Sequence, residues 1–315
     1  MNKRISFTLK VIISLLLVVF LFYKIDFVNF YKSIINMNLI YLIPIILIPI
    51  IVRILEACNF HILLKGIGKK ISILKLTKYL FYTWAVGAFT PGKTGQFAMI
   101  LFLNKEKISR GESFMITILD KSLTILVLVV FSLFGLYKFF QGIQQLIVYS
   151  MIILALISMG LLMFNERIKK HLREKVFRRY SRYFKGFSKS LNYLVKTKKK
   201  IIFLNMIITS IKWILSISII YLTFLSFNYK VEFWITIVIV SVSNLIALIP
   251  ISLAGLGLKE TSGAYLFSKI GYSFSIAATS MLIFTALRYL YAFFFMLIFF
   301  IKGEDFGVKE FLNVD

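Results

Sequence analysis

The chain has 315 residues, 59% of them hydrophobic, and its 38 lysines and arginines against 13 aspartates and glutamates give a net charge of +25. This composition predicts an all-α integral membrane protein of about 6–8 hydrophobic helices, without a large soluble domain. Because the basic residues fall mainly between hydrophobic runs, they are typical of cytoplasmic loops in a membrane protein and do not indicate a nucleic-acid partner.

The first two hydrophobic runs predict two membrane helices. Residues 5–23 form the first, and basic residues before it place the N-terminus in the cytoplasm of a cell-membrane protein. No small-residue cleavage site follows this run, so we expect an uncleaved helix rather than a signal peptide. The second run, 39–64, carries Arg53 and Glu56, whose three-residue spacing places them on one helix face.

The next run, 79–103, is interrupted by the turn Pro91-Gly92-Lys93-Thr94-Gly95-Gln96. A helix must break here, because proline lacks a backbone N–H and clashes with the preceding turn. Broken backbone at membrane depth is tolerated only where protein buries it or where it lines a wet cavity. Basic residues flank the run on both sides, which a single crossing does not explain. We therefore predict a re-entrant hairpin with the turn at its tip.

The middle of the chain predicts two more helices and a basic segment. Ser109 and Glu112 form a capping box that opens a long helix, and a further helix covers 146–164. Residues 165–200 are strongly basic, with apolar residues at three- and four-residue spacing. They predict an amphipathic helix on the inner leaflet or, alternatively, a solvated linker helix with the same charges.

The second half of the chain is organised like the first. A helix at 201–227 precedes the run 233–270, which is interrupted between Pro250 and Gly257, and the last helix covers 275–301. If this run is also a hairpin, it enters from the opposite side, which predicts an inverted-topology repeat. The predicted parts are a first membrane half (1–164), the basic segment (165–200), a second membrane half (201–301) and a tail (302–315).

The two interrupted runs carry motifs that occur together in a known family. Residues 91–96 are similar to a P-G-R-x-G-E turn, and residues 250–260 are similar to a P-x-x-x-G-G-x-G-x-x-E turn. Arg53, Asp120 and Arg288 match an arginine, an acid and an arginine in the neighbouring helices. On these residues the chain resembles the lysylphosphatidylglycerol synthase transmembrane-region family over essentially its whole length.

The resemblance implies a flippase-like domain that handles lipids. In the multiple peptide resistance factor this region moves aminoacylated phosphatidylglycerol between leaflets, and the membrane part of some archaeal dolichyl-phosphate hexosyltransferases is similar. This chain has Gln96 where the family has an acid, and Met99 where a basic residue is often found. Gln96 predicts a more positive pocket, with an anionic lipid phosphate as its ligand. We expect no soluble aminoacyl-transfer domain, because the chain stops soon after residue 301.

Ionisable residues at membrane depth are costly unless they are paired or hydrated, so they are candidates for a functional site. We predict that Arg53, Lys93 and Arg288 hold a lipid phosphate, and that Asp120 and Glu260 balance the charge and are available to a cationic headgroup. The predicted lipid-binding residues, taken from both turns and the helices beside them, are Arg53, Pro91, Gly92, Lys93, Gly95, Gln96, Asp120, Pro250, Gly255, Gly257, Glu260 and Arg288.

Structural alternatives stay open for several of these charges. Arg53 and Glu56 are alternatively an intrahelical ion pair without a ligand. Asp120 and Lys121 alternatively lie at the cytoplasmic headgroup level, and Lys212 alternatively extends to an interface.

The predicted function is a lipid translocase for an anionic phospholipid, an aminoacyl-phospholipid or a polyprenyl phosphate, and not an enzyme. One alternative is a membrane enzyme acting on polyprenyl-phosphate-linked sugars, and another is a scaffold that recruits a cytoplasmic synthase. Membrane lipids are the predicted partners, with a separate synthase and a homodimer left open. We expect no cofactor and no metal, because Cys58 is the only cysteine and the two histidines have no clustered ligands.

Overall fold

The computed structural model describes residues 3–26, 30–31, 34–133, 186–249 and 251–305, and it contains helices and no strand within them. The α-helices in these ranges, numbered in chain order, are α1 (Lys3–Lys24), α2 (Leu42–Gly66), α3 (Ile73–Ala88), α4 (Met99–Lys105), α5 (Arg110–Leu133), α6 (Phe187–Thr197), α7 (Lys199–Ser226), α8 (Phe233–Ile246), α9 (Leu258–Lys269) and α10 (Phe274–Ile301). The predicted helix at 146–164, Pro250, most of the basic segment and the end of the tail lie outside the described residues.

Four of the described helices are long and apolar enough to cross a membrane: Leu39–Gly66, Arg110–Leu133, Lys199–Ser226 and Phe274–Ile301. The first of these ranges includes the short 3₁₀ turn before α2. Each has at least 24 residues, more than the roughly 20 that a hydrocarbon core of about 30 Å requires. The prediction of an all-α integral membrane protein is confirmed.

Both predicted interruptions are breaks in the structure. Helix α3 ends at Ala88 and is followed by the 3₁₀ helix Pro91–Ala98 before α4 begins. Helix α8 ends at Ile246, and the 3₁₀ turn Leu253–Gly255 precedes α9. With 16 and 14 residues, α3 and α8 are about 24 and about 21 Å long. Neither reaches across a hydrocarbon core of about 30 Å.

Glycine lets each break lie tightly against the helix before it. A Cβ atom on Gly95 would come within 2.8 Å of the Gly87 nitrogen in α3, and one on Gly255 would come within 3.0 Å of the Ala247 carbonyl oxygen. Gly255 also has a φ of +82°, which residues with a side chain rarely adopt. The motif glycines therefore permit a close return of the chain.

The two ends of the first broken segment lie side by side. Lys75 and Tyr79, at the start of α3, both donate hydrogen bonds to Glu106 just after α4, at 2.8 and 2.6 Å. Nearby, Lys78 pairs with Glu304 after α10. We call this end of the molecule, with the ends of α2, α4 and α10 and the start of α5, the basic face.

The ends of the second broken segment meet at the opposite face. The backbone N–H of Glu232, before α8, donates to the Tyr272 hydroxyl at 3.4 Å, and that of Ser273 donates to the Tyr229 hydroxyl at 3.0 Å. The rings of Phe267 and Tyr272 pack edge to face beside them. The two broken segments thus start and end at different faces of the bundle.

The two halves are interlocked. Helix α3 packs on α10, α8 packs on α5, α2 packs on α7, and the two breaks touch each other. The rings of Phe81 and Phe295 stack at 3.8 Å between α3 and α10. Asn59 donates a buried hydrogen bond of 2.8 Å to the Thr209 hydroxyl between α2 and α7, the interhelical role expected of polar side chains in membrane helices.

Helix α1 packs against the second half, on α9 and the second break. The Ser14 hydroxyl accepts a hydrogen bond of 2.7 Å from the backbone N–H of Leu253. A Cβ atom on Gly257 would lie 2.5 Å from the Leu17 Cβ atom, so only glycine allows this approach. The N-terminal helix therefore holds the second break in place.

The described end of the basic segment differs from its prediction. In α6, Leu191 and Leu194 are buried in the same core cluster as Leu64 of α2, and a Cβ atom on Gly66 would lie 2.6 Å from Leu194. The leucine face of α6 thus contacts protein instead of the inner leaflet. Helix α6 packs there because α5 and α7 offer it an apolar groove.

Candidate functional site

A cavity of about 260 Å³ lies where the two breaks and the long helices converge. Its apolar wall includes Trp84 and Trp213, together with aliphatic side chains from α2, α5 and α10. The charged residues that line it are Arg53, Glu56, Lys121, Lys212, Lys259 and Arg288. Among the described residues, a single carboxylate therefore faces the cavity beside five cations.

The carboxylate of Glu56 is held by two of these cations. Arg53 donates to one oxygen within α2, and Lys121 of α5 donates to the other at 2.8 Å. The Arg53 guanidinium also lies 5.0 Å from the ring centroid of Trp84, at the range of a cation–π contact. Glu56 is 4% exposed, and such a buried carboxylate needs this full pairing.

Asp120 is completely buried beside Lys121, whose Nζ atom lies 3.5 Å from one carboxylate oxygen. Neither oxygen has a hydrogen-bond partner in the described parts of the chain. Asp120 therefore adds a negative charge behind the cavity wall without lining the cavity.

A second charge cluster lies at the start of α9. Glu260 accepts a hydrogen bond of 2.8 Å from the Gly257 N–H and another from the Thr285 hydroxyl. Lys259 Nζ lies 3.6 Å from the same carboxylate and 4.1 Å from the ring centroid of Phe284. Glu260 thus caps α9 from inside the protein, whereas the side chain of Lys259 lines the cavity.

Two cations at the cavity have no ion-pair partner among the described residues. Lys212 is 4% exposed, and the carboxylates that act on it electrostatically, Glu56 and Asp120, each have another cation within ion-pair distance. Arg288 donates a long hydrogen bond of 3.4 Å to the Ala254 carbonyl oxygen, and its Nη2 atom is buried without a hydrogen-bond partner. Free donors and positive charge therefore face the cavity.

The model of the family described as lysylphosphatidylglycerol synthase TM region matches residues 7–295. The chain belongs to this family. A comparison with curated proteins found no match.

The residues of the two family turns occupy different places around the cavity. Gln96, at the family's acidic position, lines the cavity and lies against Gly87. Gly95, Gly255 and Gly257 shape the backbone and do not line the cavity. Pro91, Gly92 and Lys93 lie in the first 3₁₀ helix. The side chains of these three residues, and all of Pro250, lie outside the described part of the chain. The role of Lys93 therefore stays a prediction.

Sequence reasoning placed Arg53, Gln96 and Arg288 at the site, and the structure brings these three to one cavity. The site predicted from the sequence lacks four charged residues that also line the cavity: Glu56, Lys121, Lys212 and Lys259. The alternative in which Lys212 extends to the membrane interface is wrong, because the structure buries this side chain in the protein. The available signal was a lysine in the middle of an apolar helix, and Lys259 is adjacent to the glutamate of the family motif.

Proposed function

We propose that this protein is a lipid translocase that moves a phosphate-bearing lipid between leaflets. The observation that carries the proposal is the cavity at the meeting point of the two breaks, with five cations in its wall. Cations inside a membrane protein are costly and mark ligand pathways, and lysine and arginine form strong hydrogen bonds with phosphate. Membership of a family with a lipid-related transmembrane region supports the same class of ligand.

We infer that the two broken segments are re-entrant hairpins that enter from opposite sides of the membrane. Each has both ends at one face, the first at the basic face and the second at the other. The short helix before each break also packs on a long helix of the other half: α3 packs on α10, and α8 packs on α5. Inverted repeats with broken helices at the midplane are typical of transporters that alternate access to a central site.

The orientation follows from the distribution of lysines. The basic face has Lys65 in the last turn of α2 and Lys69, Lys70 and Lys107 in loops, and α10 ends there as well. By the positive-inside bias of membrane proteins, this face lies in the cytoplasm of a cell-membrane protein. Residues 302–305, directly after α10, then lie on the cytoplasmic side as well.

Leaflet exchange in liposomes tests the proposal. Purified full-length protein is reconstituted with fluorescent phosphatidylglycerol, its lysyl derivative or a polyprenyl phosphate, and outer-leaflet fluorescence is removed with an impermeant reductant. We expect faster exchange of a phosphate-bearing lipid than in protein-free liposomes, and slower exchange with the Arg288→Gln variant. Lys269→Gln, an exposed position at the far end of α9, is the matched control. Exchange at the protein-free rate for every lipid would contradict the proposal.

The geometry favours transport over the alternative of an enzyme acting on lipid-linked sugars. That alternative uses the acids as general acid and base, and such groups must lie within hydrogen-bond reach of the substrate. Of the buried acids among the described residues, Glu56 alone lines the cavity, and two cations already bind it. Asp120 and Glu260 lie behind the wall. The scaffold alternative depends on the segment 165–200, most of which lies outside the described residues.

A further inference from the structure

The charges around the cavity do not cancel. Among the side chains that the structure describes there, three carboxylates each have a cation within ion-pair distance: Glu56 with Arg53, Asp120 with Lys121, and Glu260 with Lys259. Lys212 and Arg288 have no such partner, and both line the cavity. With every group in its ordinary charge state, these eight described side chains carry two positive charges in excess.

An anionic ligand would stabilise two unpaired cations at membrane depth. The penalty for burying a charge falls when an opposite charge with matching hydrogen-bond acceptors lies beside it. The unpaired Nη2 atom of Arg288 and the ammonium of Lys212 are the free donors that such a ligand would meet. The other three cations, Arg53, Lys121 and Lys259, are paired with carboxylates and contribute only to the electrostatic potential around the ligand.

We propose that the headgroup bound in this cavity carries two negative charges, as in a lipid with a terminal phosphate monoester. This inference rests on the proposed function and names its substrate class. A phosphate monoester carries close to two negative charges at neutral pH, which matches Lys212 and Arg288. A diester headgroup such as phosphatidylglycerol carries a single negative charge and leaves one cation unpaired.

An aminoacylated headgroup fits this wall poorly. Its ammonium group would lie among five cations, and the acids available to neutralise it are occupied. Glu260 is 1% exposed and already accepts from Gly257 and Thr285. Gln96 presents a neutral amide where the family has an acid. The cavity therefore selects against a cationic lysyl lipid, the lipid that the family's description names.

Ligand-induced thermal stabilisation of the full-length protein in neutral-detergent micelles tests this inference at equilibrium. The probes are short-chain phosphatidic acid, phosphatidylglycerol and lysyl-phosphatidylglycerol, with glycerol 3-phosphate as a soluble monoester. Loss of one charge-assisted contact corresponds to about tenfold in affinity, so we expect phosphatidic acid to bind at least about tenfold more tightly than phosphatidylglycerol, and the lysyl lipid to bind most weakly. Equal affinities would overturn the inference. Stabilisation by glycerol 3-phosphate as strong as that by phosphatidic acid would overturn the assignment to a lipid.

Variants of the two unpaired cations separate binding from folding. Lys212→Gln and Arg288→Gln should each remove the preference for phosphatidic acid over phosphatidylglycerol. They should leave the thermal stability of the ligand-free protein unchanged or higher, because the removed charge has no partner. A lower ligand-free stability combined with an unchanged lipid preference would overturn the inference. Lys200→Gln, an exposed position on the same helix α7 as Lys212, is the matched control and should change neither quantity.

Binding and transport fail independently in this design. If phosphatidylglycerol binds and exchanges as well as phosphatidic acid, the translocase proposal stands and the dianionic headgroup is wrong. If no lipid exchanges but phosphatidic acid is preferred in micelles, the headgroup inference stands and translocation is wrong.

Discussion

The two breaks lie against each other but are stabilised differently. In the second, Glu260 caps α9 from within, and Ser14 of α1 binds the backbone of Leu253. In the first, α4 begins at Met99 without a side-chain cap, and Gln96 faces the cavity. The second break is thus held by Glu260 and by α1, whereas the first is held by its own residues, since the Thr90 hydroxyl accepts from the Gly95 N–H at 2.7 Å. Because Gln96 of the first break lines the cavity with a polar side chain, we expect the first break to be the one that responds to a ligand.

Removal of the internal cap should have the largest effect. Glu260→Ala deletes the acceptor for Gly257 and leaves Lys259 buried without its counter-charge. Breaking a buried ion pair costs about 3–5 kcal/mol, so we expect a large fall in the melting temperature of the purified protein. Glu260→Gln should lower it less, because the amide oxygen still accepts from the Gly257 N–H and the NH₂ group donates to the Thr285 hydroxyl in place of the second carboxylate oxygen. A wild-type melting temperature in Glu260→Ala would show that the cap does not hold this break.

A close-packing test comes next. Gly257→Ala meets Leu17 of α1 at 2.5 Å, whereas Gly271→Ala, at a similar positive φ, has no atom within 4 Å. Overpacking costs about 1–3 kcal/mol, so Gly257→Ala should lower thermal stability by more than Gly271→Ala. Both positions have a positive φ, so a larger loss of stability at Gly257 is the effect expected from the contact with α1. Equal losses would mean that α1 does not press on the second break.

Restoring the family's acidic residue at position 96 tests whether the first break contacts the ligand. Gln96→Glu adds a negative charge to the cavity wall, so the affinity for phosphatidic acid in the micelle assay should fall about tenfold, or about 1.4 kcal/mol. Gln96→Ala removes the amide without adding charge and should lower the affinity less. An unchanged affinity in Gln96→Glu would place Gln96 outside the binding region.

We expect the smallest effect on stability from acid, which should weaken the hydrogen bonds that join the two ends of the first broken segment. Burial raises the pKa of the Glu106 carboxyl, but the hydrogen bonds from Lys75 and Tyr79 and the charge of Lys75 lower it more, so the pKa lies below its ordinary value. A lowered pKa stabilises the fold above the unfolded pKa of about 4.3, and this stabilisation is lost as the pH falls through the folded pKa.

The measurement compares thermal unfolding of wild type and Glu106→Gln from pH 7 to pH 3. Wild type should be more stable by about 0.2–1 kcal/mol at pH 7, and the difference should vanish at low pH. The second segment closes through the neutral hydroxyls of Tyr229 and Tyr272, so Tyr272→Phe should give a difference from wild type that is independent of pH in this range. A pH-independent difference for Glu106→Gln would contradict the assignment.

Local chemistry made part of this structure predictable. Proline and glycine predicted both breaks, because their backbone effects do not depend on distant residues. Ser109 and Glu112 form the predicted capping box, with Ser109 Oγ accepting from the Glu112 N–H at 3.4 Å and Glu112 accepting from the Ser109 N–H at 3.3 Å. Arg53 and Glu56 pair as their spacing predicted.

Long-range pairing was not predictable from the sequence alone. Lys121 contacts Glu56 from 65 residues away, and Thr285 contacts Glu260 from 25. Whether Glu260 faces a ligand or caps its own helix depends on where α10 packs. Helix α6 is a similar case, because the spacing of its leucines fits a helix on a lipid surface and a helix in a protein groove equally well. Tertiary packing decides such cases, since amphipathicity defines a face but not its partner.

The exchange of contacts between halves also has a consequence for biogenesis. Helix α3 ends at Ala88, whose carbonyl oxygen accepts from Tyr289 of α10, and the ring of Phe81 in α3 stacks on Phe295. Tyr289 follows Ala88 by 201 residues, so these partners are synthesised long after α3. The first broken segment therefore lacks this packing surface until α10 has been synthesised and has entered the membrane. Truncation before α10 should leave a chain that inserts but is degraded.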